Sequence, residues 1–176
     1  MYFNKYDYAD VPYAHVTDPQ GTIKSAGDCP VVIAMALTEL GVKTDPIEIA
    51  QISLDNHARL PYGTDIDALC RHVANTFSED IVVTKTNDIG LLKAALLRGS
   101  KVICCIDGKT GAISKSPTLV VAVEIDGDTV FVWDPGYPQY RRSINEYFEL
   151  YWSHPDIYVD INSLHAETEG YATRYY

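Results

Sequence analysis

The run from Val31 to Leu40 is apolar on nearly every side of a helix and stops at Gly41. A helix without a polar face cannot lie on a surface, so other elements must surround it. Gly41 is a natural stop, because glycine accepts the left-handed backbone that closes many helices. The helix is predicted to begin at Asp28, with Asp28 as its N-cap. A chain of 176 residues can enclose such a rod. A domain of that size buries roughly 70% of its unfolded surface and needs neither disulfide nor metal to stay folded.

What surrounds the rod changes character along the chain. Residues 1–27 are rich in Tyr, Asp, Pro and Gly and read as an extended arm anchored by tyrosines. A second helix opens at Asp45 with Pro46 in its first turn and carries Ile47, Ile49, Ala50 and Ile52. A third opens at Thr64, with Asp67 completing a partial capping box, and has the stripe Ile66, Leu69, Cys70, Val73. A fourth begins near Asn87, runs from Ile89 to Arg98 and closes at Gly99. Then come β-branched runs: Ile81–Val83, Lys101–Ile106, Leu119–Ile125 and Thr129–Trp133. Asp126-Gly127 between the last two is a hairpin signal. Ser143 with Glu146 predicts a further helix bearing Ile144, Tyr147, Phe148, Tyr151 and Trp152. Ile157–Ile161 reads as a last strand. Helices first and an antiparallel sheet after them is the α+β pattern. Residues 1–164 are expected to form one domain and 165–176 a polar tail.

Charge excludes one class of partner. Formal charge is −10, which argues against binding nucleic acid, whose phosphates need Lys and Arg. A basic peptide or protein partner fits better. The cysteines, Cys29, Cys70, Cys104 and Cys105, form no Cys-x-x-Cys and have no histidine at finger-like spacing, so neither metal nor cofactor is expected. Adjacent Cys104 and Cys105 should face opposite sides of a sheet. Scattered thiols suit a reducing compartment. No leader-like apolar segment follows Met1, and no apolar run approaches ~18 residues. The expectation is a cytoplasmic protein without a membrane span.

One segment carries chemistry. Ser25-Ala26-Gly27-Asp28-Cys29-Pro30 brings a thiol to the start of the buried helix, where the helix dipole favours a thiolate. Around it stand Tyr2-Phe3-Asn4-Lys5 through Val11-Pro12-Tyr13, Thr22-Ile23-Lys24 before the helix, Ala34-Met35 within it and Gly63-Thr64. Gly111-Ala112-Ile113-Ser114 through Thr118-Leu119-Val120-Val121 follows, and Val132-Trp133-Asp134-Pro135-Gly136 closes the set. In this order the segments resemble the papain-like peptidases of the double-glycine-leader type. These are the bacteriocin-processing cysteine peptidases and their single-domain relatives in bacterial and phage genomes. The resemblance implies a papain-like fold, a helical N-terminal half packed on an antiparallel sheet, with a peptide-binding cleft between them.

The resemblance also implies four catalytic positions, and three hold other residues. Tyr-Phe-x-Gln becomes Tyr2-Phe3-Asn4-Lys5, so Lys5 stands for the oxyanion glutamine. The family's cysteine lies seven residues before the Ala-Met methionine, which is Asp28 here. Gly-His-Phe becomes Pro117-Thr118-Leu119, so Thr118 stands for the histidine. Only the acid that orients the histidine is kept, as Asp134. Threonine cannot shuttle a proton near neutral pH. The expected protein is therefore a pseudoenzyme that binds a peptide, a partner protein or a small ligand. Tyr2, Tyr6, Tyr8 and Tyr13 are candidates to line its groove. Lys5 is expected to pair with Asp28 or to carry its charge to the oxyanion position. Two alternatives stand beside this. One is an active cysteine hydrolase using Cys29, displaced by about 100° around the helix, with His15 as substitute base. The other is a phage virion or host-takeover interaction protein.

Overall fold

The computed structural model describes residues 1–77, 81–86, 88–106, 118–127, 129–136, 142–143 and 158–163. The predicted central helix is α2 (Asp28–Glu39), and every residue from Cys29 to Leu37 is buried. Its end is a Schellman motif. Val42 N–H donates to the Leu37 carbonyl and Gly41 N–H to that of Thr38, while Gly41 takes φ +86°. One turn of helix, α1 (Ile23–Ala26), precedes α2. Behind α2 lies α3 (Pro46–Asp55), where the Asp45 carboxylate accepts from Ile47 and Glu48 N–H as foreseen. Ile49, Ala50 and Ile52 are buried, whereas Ile47 is exposed.

A small hairpin follows, β1 (Arg59–Leu60) paired with β2 (Gly63–Thr64), and then α4 (Ile66–Phe77). Here the expected cap is displaced. Thr64 belongs to β2, and its hydroxyl is engaged by Tyr13 at 2.7 Å. Asp65 instead accepts from Ala68 N–H at 2.9 Å. Thr64 cannot serve both the hairpin and the helix, so the adjacent carboxylate takes the orphan donor. Leu69, Cys70 and Val73 are buried as the stripe requires.

Among the described residues, the remaining strands form an antiparallel sheet of six. They are β3 (Ile81–Thr86), β4 (Lys101–Ile106), β5 (Thr118–Asp126), β6 (Thr129–Trp133), β7 (Arg142–Ser143) and β8 (Tyr158–Ser163). Their spatial order is β3-β8-β4-β5-β6-β7. The hairpin at Asp126 has a two-residue turn, with Asp126 opposite Thr129. Helix α5 (Ile89–Leu97) connects β3 to β4 and is capped by Asp88.

Side chains alternate across this sheet with period two. Ile103, Val121, Val123, Phe131 and Trp133 belong to the core around α2. Val102, Cys104, Val120, Ala122, Val130 and Val132 join α5 residues Leu92, Ala95 and Leu96 in a second core. Strands β4, β5 and β6 are thus covered on both faces, which the simple division into helical and sheet halves does not foresee. Both clusters are apolar because their side chains are withdrawn from water.

The α+β architecture is as expected, with differences at its margins. The arm is less extended than its composition suggests. It contains a 3-10 turn (Lys5–Tyr8) and isolated bridges between Pro12 and Thr22 and between His15 and Asp18. The last strand begins at Tyr158 and ends at Ser163. Ser143 lies in β7 opposite Phe131. The helix predicted from Ile144, the side chains of Cys105 and Thr118 and the tail 165–176 lie outside the described residues. Among the described residues, no helix is long and apolar enough to cross a membrane.

Candidate functional site

The site forms where the arm crosses from α2 to the sheet. Thr22 and Ser25 cap α1 reciprocally, and α1 hands over to α2 through Gly27. A Cβ at position 27 would lie 2.6 Å from Ile23 Cα and from the Ile23 carbonyl oxygen. Only glycine fits there, so the two helices meet at a fixed joint. Gly27 is also the N-cap of α2, with no side-chain hydrogen bond. Asp28 is therefore the first helical residue and not the cap. Its carboxylate keeps the favourable end of the helix dipole, but it turns outward to Lys5.

Lys5 Nζ donates to Asp28 Oδ1 at 2.7 Å, with side-chain exposures of 20% and 29%. The lysine is held from behind. Asn4 caps the 3-10 turn by accepting from Tyr6 N–H, and Lys5 N–H donates to the Pro135 carbonyl at 2.9 Å. Tyr2 adds a second strap. Its hydroxyl donates to the Asp134 carbonyl at 2.8 Å, and its ring stands edge-on to Trp133 at 6.1 Å. Burial, with the charges of Asp134 and Asp7, pushes the Tyr2 phenol well above its ordinary range. It remains a donor at any physiological pH.

Asp134 is buried, and its Oδ1 accepts from Gly136 N–H at 2.7 Å. The turn this bond fixes lies against the arm. A Cβ at Gly136 would sit 3.6 Å from Lys5 Cε and 3.9 Å from the Tyr6 ring. The structure thus gathers Lys5, Asp28 and Asp134, three of the four positions singled out from the sequence. Of the fourth, Thr118, the backbone opens β5 beside β4.

Cys29 is placed differently. It follows Asp28 on the helix, is only 4% exposed and belongs to the α2 core. The core neighbour Tyr13 has its phenol raised by burial first, with Cys29 a lesser contributor in the same direction. His15, the candidate base, is tied into its own turn. Its Nδ1 lies 2.8 Å from Thr17 Oγ1 and accepts from Thr17 N–H. Cys70 is buried, and its thiol is pushed up to about 12 by desolvation, then by Asp67. It is a core group without thiolate chemistry near neutral pH.

The four candidate groove tyrosines separate. Tyr6 is half exposed, and Lys5 Nζ and Lys24 Nζ lie 5.9 and 5.6 Å from its ring centre. Tyr2 straps the arm to the sheet. Tyr8 is partly buried against the α2 core. Tyr13 is fully buried and shares hydrogen bonds of 2.6 and 2.7 Å with Ser53 and Thr64, so it contributes to the interior.

One residue was missed from the sequence. Arg59 is 5% exposed. It donates from Nε to the Tyr13 carbonyl, from Nη1 to the Leu60 and Gly63 carbonyls, and from Nη2 to Asp18 at 2.7 Å. Its guanidinium also lies 5.2 Å from the Tyr13 ring centre. A signal existed, since Arg59 is the single Lys or Arg between residues 44 and 70. Isolated cations in an acidic stretch are worth examining as buried pairs.

No family model and no curated protein matches the chain. A crystal structure described as a C39-like peptidase from Bacillus anthracis does match. The TM-score is 0.64 over 92% of this chain and 94% of that one, at 13% identity. Identity that low speaks to architecture alone. The protein has a C39-like peptidase fold, a papain-like α+β arrangement in which the arm joins the start of the central helix to the Asp134 turn.

Proposed function

We propose that this protein is a catalytically inactive papain-like peptidase homologue that binds an extended peptide between the start of α2 and the sheet. The observation that carries the reading is the ion pair between Lys5 and Asp28. By the resemblance, these positions would hold the oxyanion glutamine and the nucleophilic cysteine. Here they neutralise each other. A carboxylate held by an ammonium at 2.7 Å is a stable pair and a poor nucleophile, and the ammonium is already engaged. The burial of Cys29 also supports the reading, because a reacting thiol must reach its substrate. What remains is a surface with a half-exposed aromatic ring, Tyr6, beside the paired Lys5 and Asp28. Such surfaces suit extended peptides.

The test is incubation of the protein with a peptide library under reducing conditions, followed by mass spectrometry. The expected outcome is no cleavage, together with slow alkylation of Cys29 by iodoacetamide at neutral pH. Cleavage at specific sequences that disappears in Cys29→Ala would overturn the proposal. For the binding arm, peptides retained by the native protein should be lost from Lys5→Glu, which sets two carboxyl groups against each other at the cleft.

A further inference from the structure

His15 is held in a way that depends on its charge. The Thr17 hydroxyl oxygen lies 2.8 Å from its Nδ1, and the Thr17 backbone nitrogen lies 3.2 Å from the same atom. The backbone N–H can only donate, so Nδ1 is a bare lone pair and the ring proton sits on Nε2. The hydroxyl then donates to Nδ1 as well. This is the arrangement of an Asx turn, with an imidazole nitrogen in place of the side-chain oxygen. The backbone closes the same turn. His15 N–H donates to the Asp18 carbonyl at 3.0 Å, and Asp18 N–H to the His15 carbonyl at 2.8 Å.

What separates this turn from one built on Asn is that its acceptor titrates. Histidine is the side chain that ordinarily changes charge between about pH 5 and about pH 8. An imidazolium carries N–H at both nitrogens and accepts nothing. The Thr17 hydroxyl can rotate and accept from it, but the Thr17 N–H then faces another donor and must turn to water. Two charged groups meet the turn, Asp18 within it and Arg59 from β1, and they are paired at 2.7 Å. Neither restores the lost bond. Arg59 donates only, and Asp18 Oδ2 is already taken by it. An imidazolium also adds a second cation beside the carboxylate that answers Arg59. We propose that His15 is a proton-sensitive joint in the arm. The neutral imidazole locks the turn that presents Asp18 to Arg59, and the imidazolium frees it. The bonds at Nδ1 are exposed, so the release is local. The bonds from Arg59 to the Tyr13, Leu60 and Gly63 carbonyls do not involve His15 and stay in place. The joint is independent of what the cleft binds.

The test is nuclear magnetic resonance on the full-length protein labelled with nitrogen-15, titrated from about pH 8 to about pH 5. At the alkaline end the His15 ring should show the Nε2–H tautomer. On acidification the Thr17 amide signal should move in step with the His15 ring. Hydrogen exchange at Thr17, corrected for the intrinsic effect of pH, should become about two- to tenfold faster. His15→Asn supplies the control, because an amide oxygen accepts the same N–H and takes no proton in this range. In that variant the Thr17 amide should stay protected at both ends of the titration. An Nδ1–H tautomer at the alkaline end would overturn the proposal. So would a Thr17 amide that ignores the His15 titration, or one whose pH dependence persists unchanged in His15→Asn.

Discussion

The two ends of the N-terminal arm are built on opposite principles. From Tyr2 to Tyr8 the arm is held by its backbone and by tyrosine, through Lys5 N–H to Pro135 and the Tyr2 hydroxyl to Asp134. Its charged groups are left half in water. From Tyr13 to Gly21 the arm is held by a buried cation, and the surrounding carbonyls and hydroxyls are consumed in holding it. The first end keeps polar groups that a ligand can meet. The second has turned its inner polar groups into structure and leaves only loop side chains such as Val16, Thr17 and Gln20 exposed. Ion pairs occur at both ends, so a pair alone does not mark a site. Burial decides which role it plays.

The contrast can be broken first at Arg59. Arg59→Ala should cost about 3 kcal/mol or more, because it strands buried carbonyls and an acid that were paired. Urea unfolding would measure this, and Arg59→Lys should recover little, since an ammonium lacks the planar fork. Next is Tyr13→Phe, which leaves Ser53 and Thr64 facing each other without the phenol and should cost about 1–3 kcal/mol. The cleft pair should matter less. Lys5→Ala, Asp28→Ala and their double mutant should give a coupling of about 1 kcal/mol or below. Equal costs at Arg59 and Lys5 would erase the distinction drawn here.

Alkaline pH sharpens it further. The Cys70 thiol ionises near 9 in the unfolded chain and is pushed up to about 12 in the fold. Between those values the native state holds a proton that the unfolded state has lost. Stability is therefore insensitive to this group below about pH 9 and falls as pH rises above it. Tyr13 acts in the same direction above 10, through burial. Urea midpoints taken from about pH 8 to about pH 11 should fall in the native protein. The fall should be shallower in Cys70→Val and in Tyr13→Phe.

Local signals were legible in the sequence because their physics is local. The apolar run, Gly41, the Asp45-Pro46 start and the Asp126 hairpin each depend on residues within one or two turns, and each is found in place. The failures share a different cause. Thr64 has the spacing of a cap, and nothing near it in the chain shows that Tyr13, 51 residues away, takes its hydroxyl. Asp28 was read as a cap because the tight joint at Gly27 becomes visible only when Ile23 is placed against it. Tyr13 counted as a groove residue for the same reason that Arg59 was overlooked. Each is explained by the other, across 46 positions. In the site, charge and family position leave two roles open to Lys5, and the structure pairs it with Asp28. The outward turn of Asp28 and the inward turn of Cys29 follow from the helix phase, which spacing alone leaves uncertain by a residue.

The position of β8 carries a consequence for how the molecule is made. This strand comes last among the described strands, yet it sits between β3 and β4. Until residues 158–163 leave the ribosome, β3 lacks its partner and β4 has one edge open. Open edges recruit other strands. A prematurely stopped chain would therefore carry two unpaired edges facing a strand-wide gap. The sheet cannot be completed in the order it is synthesised, so its closure reports that synthesis has reached β8.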